Sequence, residues 1–289
     1  MNAQVIERDR PTQASPSADA PAPGVITRGE QAGLRRWDAR GKKLLRLASP
    51  FLLLLLWEVL SRAGVLDRRF FPPPSELVLS TRQMIADGSL RAATADSLRR
   101  LVIGYAAGAG LGVVFGLWLG LSSWSRALLE PWLIVTYPIP KLALFPLLVL
   151  LVGLGEPPII ILLAIAVFYV VAINLIAGVL SIRPVILDVG RDCGANFWQM
   201  VRTVALPASL PHIMTGLEIS MGIAYIVLIA AEFVGAKTGL GSVIWSSWQL
   251  FDVAPMYVSI VTISVLGYGS VILLRLLGQW LMPWQKKPA

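Results

Sequence analysis

Six long apolar blocks, at about residues 44–60, 99–121, 127–152, 158–180, 207–233 and 256–281, are separated by short polar stretches. In lipid every backbone N–H and C=O must be satisfied within the protein, so blocks of this kind cross a bilayer as helices. Covering the hydrocarbon core takes about 20 apolar residues. Five blocks reach that length, and the first, with Arg46 and Glu58 near its ends, is slightly short. Small residues at Ser61-Arg62-Ala63 resemble a leader cleavage site, but the polar segment ahead is far longer than a leader carries. The block is expected to stay as an anchor. Only 15% of the 289 residues are charged, against roughly 25% in soluble domains. The expected fold is therefore an all-α membrane protein of about six transmembrane helices.

Charge placement sets the organisation. Residues 1–42 are rich in Pro, Ala, Ser, Asp and Arg without apolar periodicity, and are expected to be a disordered cytoplasmic tail. Residues 43–95 hold the first helix and an external loop, and residues 96–284 form the core. Arg35, Arg36, Arg40, Lys42, Lys43 and Arg46 precede the first block and Lys286 and Lys287 follow the last. By the positive-inside rule both termini are cytoplasmic, as is the long 181–206 loop. Arg62, Arg68, Arg69, Arg82 and Arg91 in the first loop run against that bias. In that loop Ser75 is expected to cap a short helix reaching Arg82 to Ala86. The formal net charge of +8 thus reads as membrane orientation, with no nucleic-acid partner. A single cysteine, Cys193, and a single histidine, His212, exclude an intrachain disulfide and a paired-thiol or His-cluster metal site. His212 reads as structural or interfacial. No G-x-x-x-x-G-K-[ST] loop is present, so any ATP is bound by another subunit.

Within the blocks four features stand out. Gly104, Gly108, Gly112, Gly116 and Gly120 form an unbroken ridge at every fourth residue. Such a ridge lets a second backbone approach closely, as a static interface or a seam that slides. Tyr137-Pro138-Ile139-Pro140-Lys141-Leu142-Ala143-Leu144-Phe145-Pro146 places three prolines and a lysine inside an apolar stretch. Broken helices of this kind line translocation paths, the alternative being a proline kink with Lys141 snorkelling to an interface. Glu232, ahead of Gly235, Gly239 and Gly241, either lines a gate, pairs with a neighbour or reaches interfacial water. Asn174 is either interhelical glue or a pathway contact.

The 181–206 loop is the most informative polar segment. Arg183-Pro184 ends the preceding helix, and residues 188 to about 204 are expected to form a surface helix with Asp188, Arg191 and Asp192 beside Phe197, Trp198, Met200 and Val201. Gly190, Gly194 and Ala195 would keep part of it slim enough for a partner's groove, and Pro207 suits the first turn of the next span. The helix is offered either to a partner protein or to lipid headgroups.

Asp188-Val189-Gly190, Gly194-Ala195-Asn196, Val204-Ala205-Leu206-Pro207 and Pro211-His212-Ile213-Met214-Thr215-Gly216-Leu217 resemble the E-A-A…G-A-S…V-x-L-P…P-x-I-x-x-G-L signature of ATP-binding-cassette importer permeases. Tyr137 to Glu156 and Ala230 to Gly241 further resemble the nitrate, taurine and sulfonate branch, and the match covers about residues 50 to 284. The resemblance implies a type I, MetI-like permease working as a homodimer with two cytoplasmic ABC ATPases and an extracytoplasmic solute-binding protein, in the bacterial inner membrane. It implies a coupling helix at about 188–203, with Asp188, Gly190, Arg191, Gly194, Ala195, Phe197, Leu206 and Pro207 meeting the ATPase. Pro138, Pro140, Lys141, Asn174 and Glu232 are assigned to the pathway and the glycine ridge to helix packing. There is no catalytic residue and no cofactor in this chain; ATP and Mg belong to the partner ATPase. Asp188 stands for the usual Glu, Gly190 for the second Ala, Lys141 for a frequent Pro and Glu218 for a frequent Arg. The branch implies a small anion such as nitrate, taurine or another sulfonate, or in some members a neutral vitamin precursor. Arg99 and Arg100 at the mouth of the second span would suit an anion or a docking protein. Two rivals are an ion-coupled secondary transporter using Glu232 and Lys141, which lacks the expected inverted repeats, and an intramembrane hydrolase, which lacks a Ser/His or paired-Asp constellation.

Overall fold

The computed structural model describes residues 48–284. The 1–42 tail, the basic residues through Arg46 and the terminal Lys286 and Lys287 lie outside that range. The chain divides into two units, Met1–Leu56 and Trp57–Ala289. In the first, residues 48–56 are helical and Phe51 to Leu56 are exposed. The second unit opens with helical residues 57–62 and continues, among the described residues, through nine further α-helices and one 3-10 turn.

Helix α1, Pro74–Ala86, starts where Pro74 presets φ at the first helical position. The N-cap is Pro73, so Ser75 is not the cap. Ser75 instead lies in the first turn, where its N–H (3.0 Å) and Oγ (2.9 Å) both donate to Glu58. A carboxylate from the preceding helical residues does the capping. The α1 helix ends at Gly88 (φ 79°), and Asp87 accepts the backbone N–H of Ser89 at 2.8 Å. That hydrogen bond holds the Asp87 carboxyl below the ordinary aspartate range.

Helix α2, Ser89–Leu121, lies against α5, Glu156–Leu180, in the most extensive helix pairing among the described residues. All five ridge glycines face α5. A Cβ on Gly104 would meet Leu163 at 2.8 Å, on Gly112 Val171 at 2.9 Å, on Gly116 Leu175 at 2.8 Å and on Gly120 Val179 at 2.6 Å. On Gly108 it would strike the Ala164 carbonyl. The partner positions rise with the glycine positions, so α2 and α5 run parallel.

Two parallel helices require the chain between them to return to its starting end. That return is made by α3, Ser123–Thr136, and α4, Phe145–Val152, joined through a 3-10 turn at Lys141–Leu144 and bent by 93°. The third block is therefore one broken crossing. Pro138 and Pro140 lie in the break, while Pro146 stands in the first turn of α4 and starts it. From α5 the chain passes α6, Pro184–Asp192, into α7, a continuous helix over Phe197–Gly235. Gly178 meets His212 and Asn174 meets Gly216, so α7 is antiparallel to α5. The short α8, Leu240–Gln249, leads to α9, Val253–Leu281, which returns along α7: Gly278 lies on Met214, and Tyr225 Oη is 3.0 Å from Ser270 Oγ.

Four helices are individually long and apolar enough to cross, and the broken pair makes five. The six expected spans are thus five within residues 89–281. The beginning of the first block lies outside the described residues, and its described helical stretch, residues 48–62, is shorter than a full crossing. The core sits where α2, α5 and α7 meet, on Leu101, Leu163, Val167, Val171, Ala224 and Leu228.

Adding one methyl group separates the seam from the opposite face of the same helix. Gly108→Ala forces α2 off α5 and is expected to cost about 1–3 kcal/mol. A Cβ at Gly110 meets nothing within 4 Å, so Gly110→Ala should gain about 0.5–1 kcal/mol from helix propensity. Thermal unfolding of the two variants in detergent checks the difference in sign.

Candidate functional site

The 181–206 loop holds two helical pieces rather than the single helix expected over 188–204. The α6 helix runs from Pro184 to Asp192 and stops at Gly194 (φ 73°), whose N–H reaches Arg191 O at 2.8 Å. The chain re-enters a helix at Phe197 through a capping box: Asn196 Oδ1 accepts Gln199 N–H at 2.9 Å and Gln199 Oε1 accepts Asn196 N–H at 2.8 Å. A six-residue π-helical turn, Met200–Ala205, then leads into Leu206 and Pro207. Gly194 at the stop and Asn-x-x-Gln at the restart are the local signals that a single-helix reading passes over.

Gly190 faces the π turn of its own chain. A Cβ there would lie 2.8 Å from Met200 Cε, so its smallness lets α6 pack on the π turn of its own chain. What α6 offers outward is Val185 and Val189, 71% and 56% exposed, with Phe197 and Trp198 at 50% and 76%. Asp188 and Arg191 pair at 3.0 Å on the exposed surface. His212 packs under Gly178 with Nε2 3.2 Å from Ser181 Oγ, a structural place at the α5–α7 junction.

At the break in the third span, Lys141 is fully occupied. Its ammonium donates to Thr136 O at 3.2 Å, Tyr137 O at 2.7 Å and Ile139 O at 3.1 Å, and it sits 4.2 Å from the Tyr169 ring centroid. An ammonium has three protons, and all three bind carbonyls near the end of α3. The positive charge also opposes the negative end of that helix dipole. Tyr169 of α5 closes the corner by donating to Thr136 Oγ1 at 2.8 Å. Asn174 donates to Val170 O of its own helix at 2.8 Å, beside Gly216.

At the opposite end of the bundle, Glu232 is fully buried and paired. It accepts from Arg100 Nη1 at 2.7 Å, from Ser97 Oγ at 2.9 Å and from the Gly241 N–H at 2.9 Å. Gly239 (φ 108°) and Gly241 lie so close to the Glu232 carboxylate that neither has room for a side chain. Of the three readings open for Glu232 the structure selects the neighbour pair; the carboxylate does not reach water. Arg100 is 3% exposed, so it is not the open cationic mouth expected from its position. Its Nη2 donates to Glu156 at 3.2 Å and to Thr238 Oγ1 at 2.8 Å. Arg99 pairs with Glu156 from outside. Ser97 had no local signal in the sequence, and Glu156 and Thr238 entered only as parts of the resembling motifs; that they meet Arg100 is visible in the tertiary structure alone. Glu218, near the middle of α7, pairs with Arg275 at 2.9 Å.

The described residues thus form a polytopic helical bundle with a broken span, internally paired charges and one loop that displays exposed apolar side chains. Residues 112–283 match the family of binding-protein-dependent transport system inner membrane components, and the chain belongs to that family. It is 30% identical to the putative aliphatic sulfonates transport permease protein SsuC of Bacillus subtilis, over 92% of this chain and 97% of that one. It is 31% identical to the taurine transport system permease protein TauC of Escherichia coli, over 86% and 92% of the two chains. The bicarbonate transport system permease protein CmpB of Synechococcus elongatus is 29% identical over 88% and 93%. Among solved structures, the inward-facing MetNI methionine ABC transporter matches with a TM-score of 0.57 and 19% identity, covering 68% of this chain and 96% of that one. That likeness speaks for the fold, which is MetI-like. The chain is a permease subunit of an ATP-binding-cassette importer, a multi-pass membrane protein and not an ATPase. The matches give no support to an ion-coupled carrier.

The Arg100–Glu232 pair tests how buried charge is carried. Removing one partner leaves the other uncompensated and should cost about 3–5 kcal/mol, while an apolar replacement of both is far milder. Arg100→Met and Glu232→Leu are each expected to cut folded yield sharply, and the double variant to recover most of it, as measured by monodisperse recovery in detergent.

Proposed function

We propose that this permease works as a homodimer that passes a small oxyanion or sulfonate inward from an extracytoplasmic binding protein, with both termini and the 181–206 loop in the cytoplasm. ATP is bound and hydrolysed by two separate ATPase subunits. The observation that carries the reading is the apolar face of α6, with Val185 and Val189 exposed beside Phe197 and Trp198 on a loop between two spans. Solvent-exposed apolar side chains gathered on one short helix pair mark a protein or membrane contact. The match to permeases of ATP-driven importers points to the ATPase. Asp188, Gly190, Arg191, Gly194, Ala195, Leu206 and Pro207 then shape the coupling element. Gly190 and Gly194 act through its fold and Asp188 and Arg191 through its rim. Closure of the ATPases on nucleotide would drive two such elements together, and the packed helices would follow as rigid bodies between an inward and an outward arrangement.

The solute reading comes from the relatives: two are named for sulfonates or taurine and one for bicarbonate, all small solutes that carry an ionised oxyanion group at neutral pH. Pro138 and Pro140 keep their assignment to the pathway as the cause of the break. Lys141 and Glu232 support the path from behind, since their hydrogen-bonding capacity is spent within the protomer.

Two measurements test this. Val189→Asp places a carboxylate in the proposed apolar contact; an unpaired charge there costs at least about 1.4 kcal/mol, so ATPase recovered with the tagged permease should fall about tenfold or more. Asp188→Arg should leave the complex intact while uncoupling ATP hydrolysis from uptake. In proteoliposomes holding the complete importer and its binding protein, a sulfonate, nitrate or bicarbonate is expected to accumulate only with ATP inside. Accumulation driven by an ion gradient without ATP, or of a neutral pyrimidine precursor in preference to every anion, would sink the reading.

A further inference from the structure

A cavity of about 420 Å³ opens at the end of the bundle opposite α6, between α2, the α4–α5 turn and the α7–α8 turn. Arg100, Glu156, Lys237 and Thr238 supply its polar wall, and Leu154 and Ile159 its apolar side. Arg100 is only 3% exposed, yet its hydrogen bonding is incomplete. Nη1 serves Glu232 and the Thr238 carbonyl, and Nη2 serves Glu156 and Thr238 Oγ1. Nε is buried and donates to no acceptor among the described residues. Buried donors without partners are rare and call for an explanation. Thr238 accepts from Arg100 through the oxygen that carries its own hydroxyl proton, which remains available. Lys237 is exposed on the rim and makes no ion pair among the described residues. Counting the lining residues with their ion-pair partners, Arg99, Arg100 and Lys237 face Glu156 and Glu232. One positive charge is left over.

We propose that this cavity binds a small monovalent oxyanion, a sulfonate or carboxylate, hydrogen-bonded to Lys237 and the Thr238 hydroxyl in the field of the buried Arg100 guanidinium. The two carboxylates already offset two of the three cations, so the surplus matches a monoanion and disfavours a dianion. The apolar side formed by Leu154 and Ile159 suits a short alkyl group on the same solute. The proposal takes its meaning, an anion stop at the entry to the permease, from the import reading, but the site can be measured apart from transport.

The full-length permease in lipid nanodiscs is titrated with ethanesulfonate, with chloride at equal ionic strength as control, and hydrogen exchange is followed over residues 235–239. Ethanesulfonate at about ten times its dissociation constant should slow exchange there about tenfold, while chloride does not. Lys237→Gln removes one charge-assisted hydrogen bond from an exposed position and is expected to weaken the apparent affinity about tenfold. Lys237→Glu should abolish protection and Lys237→Arg should retain it. Protection unchanged in Lys237→Gln and Lys237→Glu, or given equally by chloride, overturns the site. Uptake by the complete importer separates the two readings. Binding without any sulfonate uptake removes the import reading and leaves the site standing; uptake with no protection at 235–239 removes the site and leaves the import reading standing.

Discussion

The close approach of α2 and α5 is the constraint from which the rest of the architecture follows. Between helices in lipid there is little hydrophobic drive, and association depends on how near two backbones can come. Five glycines in register bring α2 onto the Leu163, Val167, Val171, Leu175 and Val179 edge of α5 along its whole length. Because the two helices are parallel, the intervening residues must recross the bundle within 123–152, which includes three proline positions after Thr136. The return crossing is thus a consequence of the seam, and its break a consequence of the prolines. It also explains why Lys141 has no proton to spare: the carbonyls at a broken helix end inside a membrane must be satisfied from somewhere, and this side chain supplies three donors at once.

The same economy governs the other intramembrane charges. Glu232 is held by a guanidinium, a hydroxyl and a backbone N–H, and Gly239 and Gly241 wrap the chain around it so closely that a side chain at either position would collide. A charge so enclosed organises structure and is unsuited to relaying protons, which weighs against Glu232 as the coupling group of an ion-driven carrier. The network ties α2, α5, α7 and the α8 start into one unit.

Legibility in the sequence followed the range of each interaction. The glycine ridge and the proline break are periodic or local features, and both were visible along the chain. Of the six expected spans five lie within residues 89–281, counting the broken third as one. The split of the 184–205 segment was written locally, in Gly194 and the Asn196–Gln199 box, but apolar periodicity running from Val189 to Val201 masked it. Arg100 was out of reach. Nothing near residue 100 reveals that its partners stand at 156, 232 and 238, and a basic residue near the end of an apolar block reads naturally as a solvent-facing mouth. Lys141 was legible in part: the sequence shows a lysine among three prolines, but not that the Thr136, Tyr137 and Ile139 carbonyls take its protons.

These placements bear on how motion could enter the protomer. Helix α6 is clipped to the π turn by the Gly190–Met200 contact, and the π turn continues without interruption into α7. At about 1.5 Å per residue a helix over Phe197–Gly235 is about 58 Å long, with α6 at one end and Glu232 near the other. The helix thus connects α6 to the Arg100 network, with the π turn, Pro207 and Pro211 interrupting its regular hydrogen-bond ladder, and the network joins it to α2 and α5, which the glycine seam binds together. Of the four long apolar helices α9 is the least covered: its apolar 18-residue stretch buries no residue within the chain, in contrast to the closely packed α2–α5 seam.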